Sequence, residues 1–190
     1  MAGVALYASL QTRRAEKSEA AAELTRSEAE KLVGFMLDEL QWRLFEFNRL
    51  DTLDKTVAKV EEYYATVPQD APRDDDFLRR QGDFLQLKGD LATRREQLGQ
   101  ALEHYTEAQR VRLDLVQRHP RDWPYVNTFC TGQFKLGYAL NGEGDLPGAL
   151  AAHQQLMAVA AGYDDVTPEQ SESQFVLMSL SHQAGFLRDH

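Results

Sequence analysis

GDFLQLKGDL, residues 82–91, and GYALNGEGDL, residues 137–146, are two versions of one phrase. Each sets a glycine, a second glycine seven residues on, and then Asp-Leu; each is followed by Ala-Leu and a ring. In the first version these are Ala101, Leu102 and Tyr105, and in the second Ala149, Leu150 and His153. A third copy begins in SLSHQAGF, residues 179–186, with Gly185 in the place of Gly82 and Gly137. The intervals are 55 and 48 residues, which reads as repeats with insertions rather than a strict array.

The physical reading is a helix, a tight turn and a second helix. Gly82 and Gly137 stand where two helices touch and a larger side chain would hold them apart. Gly89 and Gly144 are expected to supply the left-handed residue that closes each hairpin. Ala101 and Ala149 then let the second helix approach. One hairpin cannot bury its own apolar face, so neighbours must stack into a short superhelix.

Working outward, sustained alternation of β-branched and aromatic residues is missing, as are Asn-Gly and Asp-Gly hairpin turns, so strands are not expected. Residues 14–47 lack proline, and Val33, Leu37, Leu40, Leu44 and Phe47 recur at steps of three and four, the mark of a helix. Its first half is polar and reads as a stalk or a coiled-coil partner. Asn48, Arg49 and Leu50 form a break; Asp51 is a candidate N-cap for a helix carrying Leu53, Val57, Val60 and Tyr64 on one face. Pro68 and Pro72, followed by Asp74, Asp75 and Asp76, mark the next loop and helix start. The division is residues 1–30 as an N-terminal stalk or membrane-proximal segment, 31–72 as a hairpin, and 73–190 as repeats with the last one truncated.

The chain has 190 residues, 43% of them hydrophobic, enough for a continuous core in an all-α fold. Thirty acidic residues against 21 basic ones give a net charge of −9, which repels phosphate backbones and argues against nucleic-acid binding. A single cysteine, Cys130, makes no internal disulfide, which fits a reducing, cytoplasmic setting. The opening MAGVALYASL is apolar for about ten residues, about half the length that a membrane span requires. The switch to Arg13 and Arg14 would suit the cytoplasmic end of a longer spanning helix that begins ahead of Met1.

Reactive chemistry finds little footing. Gly142, Glu143 and Gly144 lack the Lys-Ser/Thr ending of a phosphate loop, and a hairpin turn explains them. His104, His119, His153, His182 and His190 are scattered and read as surface residues, so no metal is expected. Cys130 beside Phe129 reads as core rather than nucleophile. Glu61, Glu62 and Asp74 to Asp76 read as solvated faces or helix ends. Trp42, Trp123, Phe35 and Phe45 read as core rather than a ligand pocket. Neither a cofactor nor catalytic activity is expected.

In order, Gly82, Gly89, Ala101, Tyr105 and Ala108, then Gly137, Gly144 and Ala149, resemble the tetratricopeptide-repeat family: a small residue at the close contact, glycine at the turn, then alanine, aromatic and alanine. The likeness covers roughly residues 74–190. It departs in about seven extra residues around Thr93 to Gly99, close to two helical turns, and in His153 and Leu156 standing for the usual aromatic and alanine. The stretch from Lys31 to Ala65 resembles the segment that bacterial signalling proteins place between a membrane helix and such repeats. The resemblance implies a concave groove lined by the first helix of each hairpin. Carried over, its residues are Arg79, Asp83 and Gln86, then Phe134, Tyr138 and Asn141, then His182 and Phe186. It implies a protein or peptide partner. Two other readings stay open: a dimerising spacer built on residues 14–47, and the regulatory part of a kinase- or cyclase-like enzyme.

Overall fold

The computed structural model describes residues 13, 14, 17, 25–37, 50–68 and 73–164; among them the regular structure is helix throughout. Leu40, Trp42, Leu44, Phe45, Phe47, His182, Gly185, Phe186 and His190, to which the sequence assigns helix, core, repeat or groove positions, lie outside the described residues. No helix among the described residues is long and apolar enough to cross a membrane. The chain divides into two units, Met1–Val67 and Pro68–His190.

In the first unit, residues 25–37 are helical and α1 spans Leu50–Thr66. Val33 and Leu37 are buried, as are Leu53, Thr56 and Val60 of α1, while Val57 and Tyr64 are half-buried. Asp51 lies inside the first turn of α1, where its charge suits the helix dipole, rather than ahead of it as a cap. Tyr63 donates to Glu30 across the pair at 3.3 Å, and Arg26 holds Glu30 at 2.8 Å. Phe35, expected in the core, is 52% exposed, because the buried stripe of this helix runs through Val33 and Leu37.

The second unit contains α2 (Asp75–Arg94), α3 (Leu98–Arg118), α4 (Trp123–Gly142) and α5 (Leu146–Asp164). Each packs on the helix that follows it, and α2 touches α4 only slightly. Asp74 caps α2 by accepting from the Phe77 amide at 2.7 Å, and Asp145 accepts from the Gly148 amide at 3.0 Å at the start of α5. One core cluster joins Ala92, Ala101, Tyr105 and Ala139, with Leu102 and Leu136 against it. A second joins Val116, Val126, Phe129, Cys130, Leu156, Ala160 and Tyr163.

The hairpins α2–α3 and α4–α5 close in the same way, 48 residues apart. In the first, Glu96 has φ 60°, its amide bonds Thr93 O at 3.0 Å, and the Gln97 amide bonds Ala92 O at 2.9 Å. In the second, Gly144 has φ 83°, its amide bonds Asn141 O at 2.9 Å, and the Asp145 amide bonds Leu140 O at 2.9 Å. This is the hydrogen-bonded helix stop built around one left-handed residue. Gly144 is therefore a turn glycine, but Gly89 is not. Gly89 is buried inside α2, where an added Cβ would lie 2.4 Å from Tyr105 Cε1. Gly137 occupies the same place in α4, with a Cβ there 2.9 Å from His153 Nε2.

The structural partner of Gly137 is thus Gly89, not Gly82, and the seven extra residues of the first unit disappear. Thr93 to Gly99 are the last two residues of α2, the turn of residues 95–97 and the first two residues of α3. Gly82 is also a close approach, its Cβ direction meeting Arg112 Cγ at 3.2 Å. His153 is not a surface residue: it is fully buried, filling between α4 and α5 the position that Tyr105 fills between α2 and α3.

Candidate functional site

The first helix of each hairpin carries the groove residues expected from the sequence, and the structure distributes them unevenly. On α2, Arg79 is tied to Asp83 at 3.3 Å and lies 3.8 Å from Asp76. Asp83 also accepts from Arg112 Nη2 at 2.8 Å, and Gln86 Oε1 accepts from Arg112 Nη1. Arg112, on α3, is only 3% exposed. Its charge is tolerated there because a carboxylate and an amide meet it. Gly132 of α4 closes the seam from the other side, since a Cβ at that position would fall 2.7 Å from Arg112 Nη1 and 2.1 Å from Gln109 Oε1. Gln109 in turn donates to Phe129 O at 2.9 Å. Asp83 and Gln86 therefore serve the α2–α3–α4 seam.

One turn beyond Gln86 a second polar knot joins three helices. Asp90 accepts from the Tyr105 hydroxyl of α3 at 2.8 Å and from Lys135 of α4 at 2.7 and 2.6 Å. The Thr93 hydroxyl lies 3.1 Å from that of Tyr105 and donates to Gly89 O. Burial, and then the neighbouring Asp90 charge, raise the Tyr105 hydroxyl well above its ordinary value, so the ring stays neutral and donates. Lys135 and Asp90 keep partial access to water, with 29% and 22% side-chain exposure.

On α4, Phe134 is half-buried, its ring 6.0 Å from that of His153; Tyr138 is 53% exposed and Asn141 is half-buried. In the 48-residue register the α2 counterparts of Phe134, Tyr138 and Asn141 are Gln86, Asp90 and Thr93. Arg79 and Asp83 sit two turns earlier. The residues missed from the sequence are Asp90, Thr93 and Lys135. The interval from Gly137 to Gly185, run backwards from Gly137, lands on Gly89 and would have found them.

The remaining reactive groups are engaged in structure. Asp75 meets His119 at 2.6 Å and Arg118, which also holds Asp114, joining the start of α2 to the end of α3. Cys130 is fully buried in the second cluster, its sulfur 3.9 Å from Leu156 O. No three His, Cys, Asp or Glu side chains gather as a metal site among the described residues. Compared with known proteins, the chain matches no family model, no curated protein and no solved structure at a significant level.

Proposed function

We propose that the second unit is a tetratricopeptide-like stack serving as a protein-interaction module, with the exposed face of α2 and α4 as its groove. The observation that carries this reading is the recurrence, at 48 residues, of the same hairpin with the same close approach and the same turn. A helix pair repeated in this way stacks against its neighbour and leaves its first helices side by side along one surface. That surface offers Asp90 and Lys135 at its base, with Tyr138 exposed beside Asn141. An aromatic anchor among paired charges and amides suits an extended peptide or a partner helix, whose binding energy would concentrate in a few side chains. The setting we propose is the cytoplasmic part of a bacterial signalling protein, without catalytic activity of its own, as the likeness of residues 31–65 to such linkers implies.

The test is selection of peptides from a displayed random library on the full chain, followed by binding of the selected peptides to Tyr138→Ala/Asn141→Ala. Enriched peptides that lose at least about tenfold in affinity, about 1.4 kcal/mol, support the groove. Peptides that bind the variant as well as the parent refute it. A second reading, dimerisation through residues 14–47, draws on Leu32 and Phe35, which are 60% and 52% exposed on one short helical stretch. Sedimentation of the chain as a monomer at high concentration would dismiss that reading.

A further inference from the structure

The knot of Asp90 and Lys135 has hydrogen-bonding capacity left over. The Lys135 ammonium of α4 donates to both oxygens of Asp90 on α2, Oδ1 at 2.7 Å and Oδ2 at 2.6 Å, and the Tyr105 hydroxyl of α3 donates to Oδ1 at 2.8 Å. An ammonium carries three N–H donors, and each carboxylate oxygen has two lone pairs. Among the described residues Oδ1 is thus filled, while Oδ2 keeps one lone pair and Lys135 keeps one N–H. Both side chains reach water, whereas Tyr105 is buried and fixes the carboxylate from the core side.

An open donor and an open acceptor 2.6 Å apart fit one kind of group. A carboxylate would be drawn to Lys135 and repelled by Asp90, and a guanidinium or ammonium the reverse, so for either charge the attraction is largely cancelled. The other groove charges of α2 are matched too, since Arg79 donates to Asp83 at 3.3 Å and Arg112 donates to Asp83 at 2.8 Å. A carboxamide is neutral and holds its oxygen and nitrogen about 2.2 Å apart, from the lengths of its C=O and C–N bonds. It can accept from Lys135 and donate to Asp90 without dismantling the pair. Tyr138, one turn beyond Lys135 on α4 and exposed, supplies a ring for the methylene stem that carries the amide.

We infer that the Asp90–Lys135 pair is a recognition subsite for the side-chain carboxamide of a peptide partner, a glutamine or an asparagine. Its oxygen accepts from Lys135 Nζ and its N–H donates to Asp90 Oδ2. The subsite rests on the interaction-module reading of α2 and α4 and names the group that their groove takes. It rejects the acidic and basic relatives of that side chain because each leaves one member of the pair facing a like charge.

The probe is the set of peptides selected from a displayed random library on the full chain, sorted by whether they lose affinity on Tyr138→Ala/Asn141→Ala. Peptides that do are expected to share a glutamine or asparagine at one position. Synthetic versions with glutamate, lysine or methionine there should bind at least about tenfold more weakly. Groove-dependent peptides without a shared carboxamide overturn the subsite and leave the groove standing; a selection without groove-dependent peptides overturns both. Charge balance gives a second measurement. Asp90→Asn leaves Lys135 uncompensated, so the glutamate version should overtake the glutamine one, and Lys135→Gln should favour the lysine version. Both substitutions keep a hydrogen-bonding side chain in the knot, and circular dichroism checks that the helices persist. An unchanged order of the peptides on folded variants overturns the assignment; should neither variant fold, the peptide series on the parent chain decides.

Discussion

Replacing Gly89 with alanine puts a methyl carbon 2.4 Å from Tyr105 Cε1 and 2.5 Å from Cδ1. Carbon atoms rest at about 3.5–4.0 Å, so α2 and α3 must separate by more than about 1 Å or the ring must turn away. The ring is 3% exposed, and its hydroxyl is held by Asp90 at 2.8 Å with Thr93 at 3.1 Å. Overpacking of this kind costs about 1–3 kcal/mol, and losing the hydroxyl bonds about 1 kcal/mol each. Better helix propensity returns about 1 kcal/mol. The net expectation is a loss of about 3 kcal/mol, read as a lower midpoint in urea unfolding followed by far-ultraviolet circular dichroism. In a Tyr105→Leu background the same substitution should be close to neutral, giving a coupling of about 3 kcal/mol between the two sites. Gly162→Ala in α5 is the control: nothing lies within 4 Å of its added Cβ, and it should gain up to about 1 kcal/mol. Wild-type stability for Gly89→Ala, or the same loss with leucine at position 105, would refute the close-approach account.

The turns give a second test: Glu96→Gly should stabilise by about 0.5–1 kcal/mol by relieving φ 60°, and Gly144→Ala should cost about 1 kcal/mol at φ 83°, both measured by urea midpoints. At the seam, Arg112→Met should cost about 3 kcal/mol because it takes the donor from Gln86 and leaves Asp83 with Arg79 alone, and adding Asp83→Asn should recover part of the loss. Alkaline titration tests Tyr105. Its folded hydroxyl is raised above the unfolded value of 10.0, so the unfolded chain releases its proton first and stability falls as the pH climbs past about 10. Tyr105→Phe should flatten that fall in thermal unfolding scans, and an unchanged slope would count against the neutral, buried hydroxyl.

Helix content and the hairpin order were legible because glycine, alanine and ring positions recur with their spacing intact. The register was not. Aligning Gly82 and Gly89 with Gly137 and Gly144 matches two glycines and an Asp-Leu, but the structure pairs Gly89 with Gly137 and Glu96 with Gly144. A slip of seven residues is nearly two helical turns, so the apolar face stays in phase and hydrophobic periodicity cannot reveal the error. The deciding residue is Glu96, whose left-handed backbone carries none of the usual sequence marks of a turn. The groove list inherited the slip: Phe134, Tyr138 and Asn141 stand in register with Gln86, Asp90 and Thr93, whereas Arg79 and Asp83 belong two turns earlier. His153 was misread for a related reason. Its partner in the repeat is Tyr105, and only the turn-to-ring distance shows that an imidazole takes a core position.

The two hairpins share a backbone plan but not a seam. Between α2, α3 and α4 polar contacts flank the apolar cluster: Arg112 with Asp83 and Gln86, Gln109 with the Phe129 carbonyl, Tyr105 and Lys135 with Asp90. In α5 the counterparts of Arg112, Gln109 and Tyr105 are Ala160, Met157 and His153, and the contact is built mainly from Phe129, Cys130, Leu156 and Tyr163. Apolar contacts tolerate many partners, whereas a buried guanidinium is tolerated only where its acceptors wait. Were α5 to take the place of α3 against α2, Asp83 and Gln86 would face Ala160 and lose the Arg112 guanidinium, leaving Asp83 with Arg79 alone. Were α3 to pack on α4 as α5 does, Arg112 would meet Thr131 and Phe134 without a carboxylate. The polar seam thus makes two similar hairpins non-interchangeable and fixes their order.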